Sequence, residues 1–101
     1  GPQAYLLALF RVSNVMRPLD DTQGAPEDAI WEAIEEGIWI DPNATLETAL
    51  PKFENTARPF LPVLSVGDEG KPPRIHGTLF HVDALRAYNR ALAATAEEEH
   101  S

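Results

Sequence analysis

Two short apolar runs, residues 60–66 and residues 75–80, lie close together in the chain, parted by Gly67, Asp68, Glu69, Gly70, Lys71 and two prolines. A connection that short brings a strand back alongside its predecessor but cannot hold the crossover a parallel neighbour needs. The spacing therefore predicts an antiparallel hairpin. Pro62 has no N–H to give to a ladder, which places it at an edge or ahead of full pairing.

Helical patterns flank this hairpin. After Thr45, whose hydroxyl is suited to accept an orphan backbone N–H, Leu46, Ala49, Leu50, Phe53 and Ala57 recur at helical spacing. Pro51 removes a donor and crowds the carbonyl of Glu47, so a kink or a distorted first turn is expected. A final helix begins near Val82 and Asp83 and runs to about residue 98, with Val82, Leu85, Tyr88, Asn89, Leu92 and Ala96 on its predicted buried face. Trp39-Ile40, closed by Asp41-Pro42, reads as a very short strand. The order is then β-α-β-β-α, a small α/β domain in which two helices cover one face of a small sheet.

Upstream, residues 4–11 form a short apolar helix, and Val12 to Met16 an extended piece that Pro18 ends. Residues 20–26 are a polar loop. Residues 27–36 follow as an acidic helix, with Glu27, Asp28, Glu32, Glu35 and Glu36 on one face and Ile30, Trp31, Ile34 and Ile38 at helical spacing on the other. Gly37 terminates it. Three segments result: an N-terminal helix and lead-in (3–19), a loop and acidic helix inserted between elements (20–37), and the main unit (38–98), which packs with residues 12–16.

A chain of 101 residues supports one core, and at that size association with another copy or domain is expected. Sixteen acidic against eight basic residues give a net charge of -8, a field that repels nucleic-acid phosphates and anionic lipid, so no nucleic-acid partner is expected. There is no cysteine, which excludes disulfides and thiolate metal sites. No apolar run is long enough to span a bilayer. The opening Gly1-Pro2 resembles the scar of a protease cleavage and leaves room for a membrane-bound parent.

Candidate catalytic groups are sparse. Ser65 can be combined with His76 or His81, but no spacing favours either pairing, and His100 falls in the tail. We read no enzyme, no catalytic residue and no metal site. His76, His81 and Asp83 are clustered in sequence, yet a strand histidine, a helix-flanking histidine and a first-turn aspartate account for them. Neither GxxxxGK[ST] nor GxGxxG occurs. One junction stands out: Gly77-Thr78-Leu79-Phe80-His81-Val82-Asp83 passes from strand to helix, where backbone N–H groups attract an anion and a carboxylate accepts hydrogen bonds from a vicinal diol.

Asp41-Pro42-Asn43-Ala44-Thr45-Leu46-Glu47-Thr48-Ala49-Leu50, then Phe60-Leu61-Pro62-Val63-Leu64, then the 76–85 junction, together resemble the cystathionine-β-synthase (CBS) domain, and Val12-Ser13-Asn14-Val15-Met16 resembles its lead-in. The resemblance implies a non-catalytic regulatory or dimerisation module holding a single CBS motif, which pairs as a homodimer or with a second motif. It implies AMP, adenosine or ATP as a regulatory ligand, with no cofactor required. Asp83 would meet the ribose hydroxyls, and Thr45, Gly77 and Thr78 would line the cleft. Phe80 stands where the family carries Ser or Thr, which favours adenosine or AMP over ATP. The last helix is similar to that of CBS regions on the cytoplasmic face of bacterial chloride-channel (ClC-type) transporters, implying a membrane-embedded transport domain as partner. Val15-Met16-Arg17-Pro18 also resembles magnesium/cobalt-efflux transporters, for which a divalent-metal response is the alternative. A purely structural dimerisation module with a degenerate cleft is a further alternative.

Overall fold

The computed structural model describes residues 2–100, with side chains from Tyr5 to Glu98; Gly1, Ser101 and the side chains of Glu99 and His100 lie outside the described part. In chain order the elements are α1 (Pro2–Leu9), α2 (Val12–Val15), β1 (Arg17–Pro18), α3 (Glu27–Glu35), α4 (Leu46–Thr56), β2 (Phe60–Ser65), β3 (Arg74–Phe80) and α5 (His81–His100). They make a small mixed α/β domain: a three-stranded antiparallel sheet in the order β1-β3-β2 and, among the described residues, five helices.

The hairpin forms as its spacing requires. Phe60 pairs with Phe80, Leu61 with Leu79, Pro62 with Thr78 and Val63 with Gly77; the register then jumps to Leu64 opposite Ile75, leaving His76 as an extra residue. Such a bulge resets the alternation of the strand, so Ile75 falls on the face shared by Pro62 and Leu64. Strand β2 shows no alternation of its own, and Phe60 to Leu64 are all buried. A strand covered on both sides has that signature. One face meets the main core of Val12, Ile40, Leu46, Ala49, Phe53, Leu61, Val63, Leu79 and Ala84. The other face meets α3, where Ile30 and Ala33 are buried, and Gly24 lies against Thr78. Residues 20–37 therefore form a second covering layer, and the sheet is clothed on both faces instead of one.

Pro62 is accommodated by its orientation. Its carbonyl accepts from Ile40 N–H at 2.9 Å, away from β3. Because a strand residue points its N and its C=O the same way, the missing donor also faces that side and the β2–β3 ladder loses nothing. The expected strand at Trp39-Ile40 is reduced to a single parallel bridge between Ile40 and Val63.

Three further expectations are corrected. Val12–Val15 is a short helix, not an extended piece. Its first-turn donors find tertiary acceptors, Val12 N–H on Ala44 O at 2.8 Å and Ser13 N–H on Pro42 O at 3.0 Å. The Thr45 side chain makes no cap hydrogen bond on α4; the Thr48 N–H donates to the Thr45 carbonyl at 3.1 Å, and the Leu46 N–H to Phe10 O at 3.0 Å. Ala57 is exposed, not part of the buried stripe, because it adopts a left-handed conformation (φ 53°) that ends α4. The helix runs through Pro51, the sixth of its eleven residues, as the apolar spacing requires.

The largest correction concerns α5. Val82 and Leu85 are 49% and 40% exposed and Ala96 is exposed, while Ala84 is fully buried and Ala87, Tyr88, Ala91 and Leu92 are half-buried. Helix α5 starts immediately after β3, so the strand sets its rotation. His81 N–H donates to Pro59 O at 2.9 Å, and its ring stacks on Phe53 with centroids 4.5 Å apart. The small residues turn inward and let the helix approach α1, α2 and α4 closely. Gly37, by contrast, ends α3 as expected: at φ +78° it donates to Ile34 O while Ile38 N–H reaches Ala33 O, a Schellman closure. No described helix is long and apolar enough to cross a membrane.

Gly77 is required by close approach. A Cβ there would meet the Arg17 carbonyl oxygen at 2.2 Å, whereas at Gly67 the nearest atom is the Lys71 Cβ at 3.8 Å. Gly77→Ala is expected to displace β1 and to lower unfolding free energy by about 1–3 kcal/mol. Gly67→Ala is expected to leave it nearly unchanged. Urea denaturation of the two variants checks the contrast.

Candidate functional site: the grooves flanking helix α5

The site begins with the absence of a side chain. Because Gly77 has no Cβ, β1 lies directly against β3, with Arg17 opposite Thr78 and Pro18 opposite Gly77. Arg17 then reaches the first turn of α5. Its Nε donates to Asp83 Oδ2 at 2.7 Å and one Nη donates to Oδ1 at 3.3 Å, while the other Nη donates to Gln23 O at 2.6 Å. The two side chains are only 25% and 17% exposed. Such a two-point contact is the strong form of an ion pair, because the guanidinium fork matches the carboxylate. The hydrogen bond to Asp83, helped by the charges of Asp83 and Asp21, raises the Arg17 pKa above its ordinary value against the opposing effect of desolvation.

Phe80 belongs to this arrangement. The Arg17 guanidinium carbon sits 4.0 Å from its ring centroid, a cation–π distance, and the ring tilts against Phe60 at 5.6 Å. Phe80 thus supports an arginine. Arg86, one turn along α5, adds a looser contact to Asp83 Oδ1 at 3.6 Å.

Two open grooves flank α5. The first, about 760 Å³, is lined largely by apolar side chains, Pro59, Phe80, Val82, Leu85 and Ala93 among them. The second, about 730 Å³, lies between α5 and the N-terminal helices and includes Leu9, Phe10, Asn14, Val15, Asp83 and Ala87. Arg86 and Arg90, four residues apart and so on one side of the helix, line both. An acidic chain thereby carries a local cationic ridge between these two grooves.

Of the four residues expected to hold a ligand, Asp83 lines the second groove and Thr45, Gly77 and Thr78 do not. Thr45 is engaged through its backbone: it bridges Arg11, and its carbonyl accepts from Thr48 and Ala49. Gly77 and Thr78 are buried in the sheet beneath β1. Sequence reasoning missed Arg17, Arg86 and Arg90. Two arginines at i, i+4 on the last helix of a chain this acidic were the available signal for the last two.

The histidines are held apart. His76 shares a hydrogen bond with Ser65, Nε2 to Oγ at 2.8 Å, whereas His81 stacks on Phe53 and Asp83 is taken by Arg17. Among the described residues, Ser65 and His76 are thus a nucleophile–base combination brought together, across the bulged end of the hairpin. No group of three metal-binding side chains occurs among the described residues. No known family model matches the chain, and no curated protein does either.

The Arg17–Asp83 pair is expected to be energetically coupled. In a double-mutant cycle of Arg17→Ala and Asp83→Ala, the double variant should be less destabilised than the sum of the singles. Strictly additive effects in urea denaturation would show that the contact contributes nothing.

Proposed function

We propose that this chain is a CBS-type, non-catalytic module that works by pairing with a second copy, or with a second such motif, and that it serves as a cytoplasmic regulatory element of a membrane-bound ion channel or transporter. The observation that carries the pairing reading is the apolar groove along α5. Val82 and Leu85 stand open to solvent beside Phe80, Pro59 and Ala93 on a helix whose other side is packed. Apolar surface of this kind costs about 25 cal/mol per Å² to leave in water, and on a small domain a contiguous strip marks a contact surface. Its rim of Arg86, Asn89 and Arg90 has the polar character of an interface edge. The channel or transporter setting rests on the sequence resemblance alone.

The regulatory ligand proposed is an adenine nucleotide in the second groove. Arg86 and Arg90 offer the positive charge that a phosphate needs and that Phe80 cannot replace with a hydroxyl. A ribose approaching Asp83 meets a carboxylate already held at both oxygens by Arg17, so binding requires that pair to open or to share its remaining lone pairs. The same pair favours a second reading, a pairing module whose cleft takes no ligand.

Sedimentation velocity separates these readings when combined with calorimetry. The wild-type chain should sediment as a dimer at high micromolar concentration, and Leu85→Glu should be monomeric with unchanged circular dichroism. A wild-type monomer at that concentration would sink the pairing reading. Titration with adenosine, AMP and ATP should give saturable heat that Asp83→Ala and Arg86→Ala both reduce. No heat up to millimolar nucleotide leaves the module without this ligand.

A further inference from the structure

The outer side of α3 carries a feature that pairing through α5 does not use. Trp31 is 45% and Leu19 57% exposed, large apolar side chains left in solvent on the layer that covers the second face of the sheet. They stand at a hollow of about 370 Å³ whose lining also includes Ala25, Ile30, Ile75 and Glu27. Ile75 reaches this face because of the bulge at His76. The hollow is therefore built by three separate parts of the chain: the segment after β1, helix α3, and the start of β3.

Its border is acidic. Trp31 does not join the apolar face expected of it: it is four residues from Glu27 on α3 and so shares that side of the helix, and Asp28, Glu32 and Glu35 are exposed along it. Asp20 adjoins Leu19 and is exposed as well. Among the described residues, the ion pair made by this helix end is that of Glu36 with Arg58; Glu27, Asp28, Glu32 and Glu35 have none. Arg74, beside Ile75, is the nearest cation along β3. The helix carries acidic residues in its first turn and no basic residue in its last.

We propose that this hollow docks a basic amphipathic peptide segment of a partner protein, an apolar side chain entering against Trp31, Leu19 and Ile75 while flanking Lys or Arg side chains meet Glu27, Asp28 and Glu32. Charge selects the occupant. Anionic lipid and nucleic acid are repelled by the same carboxylates. A second copy brings a net charge of -8 and, if it meets α3 with α3, sets like charges face to face. A cationic segment with an apolar anchor satisfies both the hollow and its rim, as helix-in-groove recognition does elsewhere.

The probe is a synthetic peptide of alternating leucine and lysine turns, with a leucine–glutamate peptide of the same pattern as its counterpart. In a Trp39→Phe background the emission reports Trp31 alone. The lysine peptide should bind saturably with a change in Trp31 emission, and the glutamate peptide should not bind. Raising salt from about 0.05 M to about 0.5 M should weaken binding roughly tenfold. Calorimetry on Trp31→Ala, on Leu19→Ser, and on the combined Glu27→Gln, Asp28→Asn and Glu32→Gln variant should each show affinity reduced about tenfold or more, with melting temperature unchanged. Asp68→Asn with Glu69→Gln, in the hairpin turn, should bind as wild type. Equal weakening by the turn variant would reduce the effect to diffuse attraction by net charge and overturn the proposal. So would absence of saturable binding, equal binding of the glutamate peptide, or loss of self-association in the α3 variants, which would assign the hollow to a second copy.

Discussion

Everything in this domain hangs on a hairpin buried on both faces. Strand β2 presents Leu61 and Val63 to the core formed with α2, α4 and α5, and Phe60, Pro62 and Leu64 to the side covered by α3. With so little sheet, each face can bury only a few side chains, so both coverings are needed to remove the strand from water. The bulge at His76 makes this workable, because it lets β3 switch the facing of Ile75 before the strand ends. From the other end of β3 the chain enters α5 without a loop, so the rotation of that helix follows from the sheet. The exposed strip of Val82 and Leu85 and the inward line of alanines are consequences of the same junction.

A second dependency links β1 to the site. The missing Cβ of Gly77 admits the Arg17 backbone, and the Arg17 side chain then spans from β1 to Asp83 with Phe80 beneath it. An aspartate that looks available for a diol in the sequence is satisfied from within the chain. Charge is likewise distributed in a way the total conceals. A net charge of -8 coexists with a cationic ridge at Arg86 and Arg90 and with an acidic border around Trp31 on a different side of the sheet.

Much of the secondary structure was legible because it rests on local chemistry. The hairpin follows from the short Gly/Pro connection, the end of α3 from the need for a positive φ at Gly37, and α4 from its apolar spacing. The failures share one cause, which is that their partners are distant in sequence. Val12–Val15 became helical because carbonyls of residues 42 and 44 accept its free donors. Thr45 caps nothing with its hydroxyl, and its segment is tied down through the backbone instead, the Leu46 N–H donating to the distant Phe10 carbonyl. The buried side of α5 was misjudged because large apolar residues there face outward and alanines inward, the reverse of what hydrophobicity alone ranks.

The hairpin is also where the division between sequence and tertiary structure is clearest. Its existence and antiparallel sense were determined by the sequence, since a connection of residues 67–73 permits little else. The small mixed α/β class, the acidic character and the absence of thiol chemistry were determined there too. That both faces of the hairpin are covered, that Asp83 is bound by Arg17, and that Ser65 meets His76 were decided only by tertiary structure. The Ser65–His76 contact depends on the register shift in the hairpin, and the other two on approaches between residues far apart in the chain. Local periodicity carries no record of which carbonyl, guanidinium or strand edge will arrive from elsewhere.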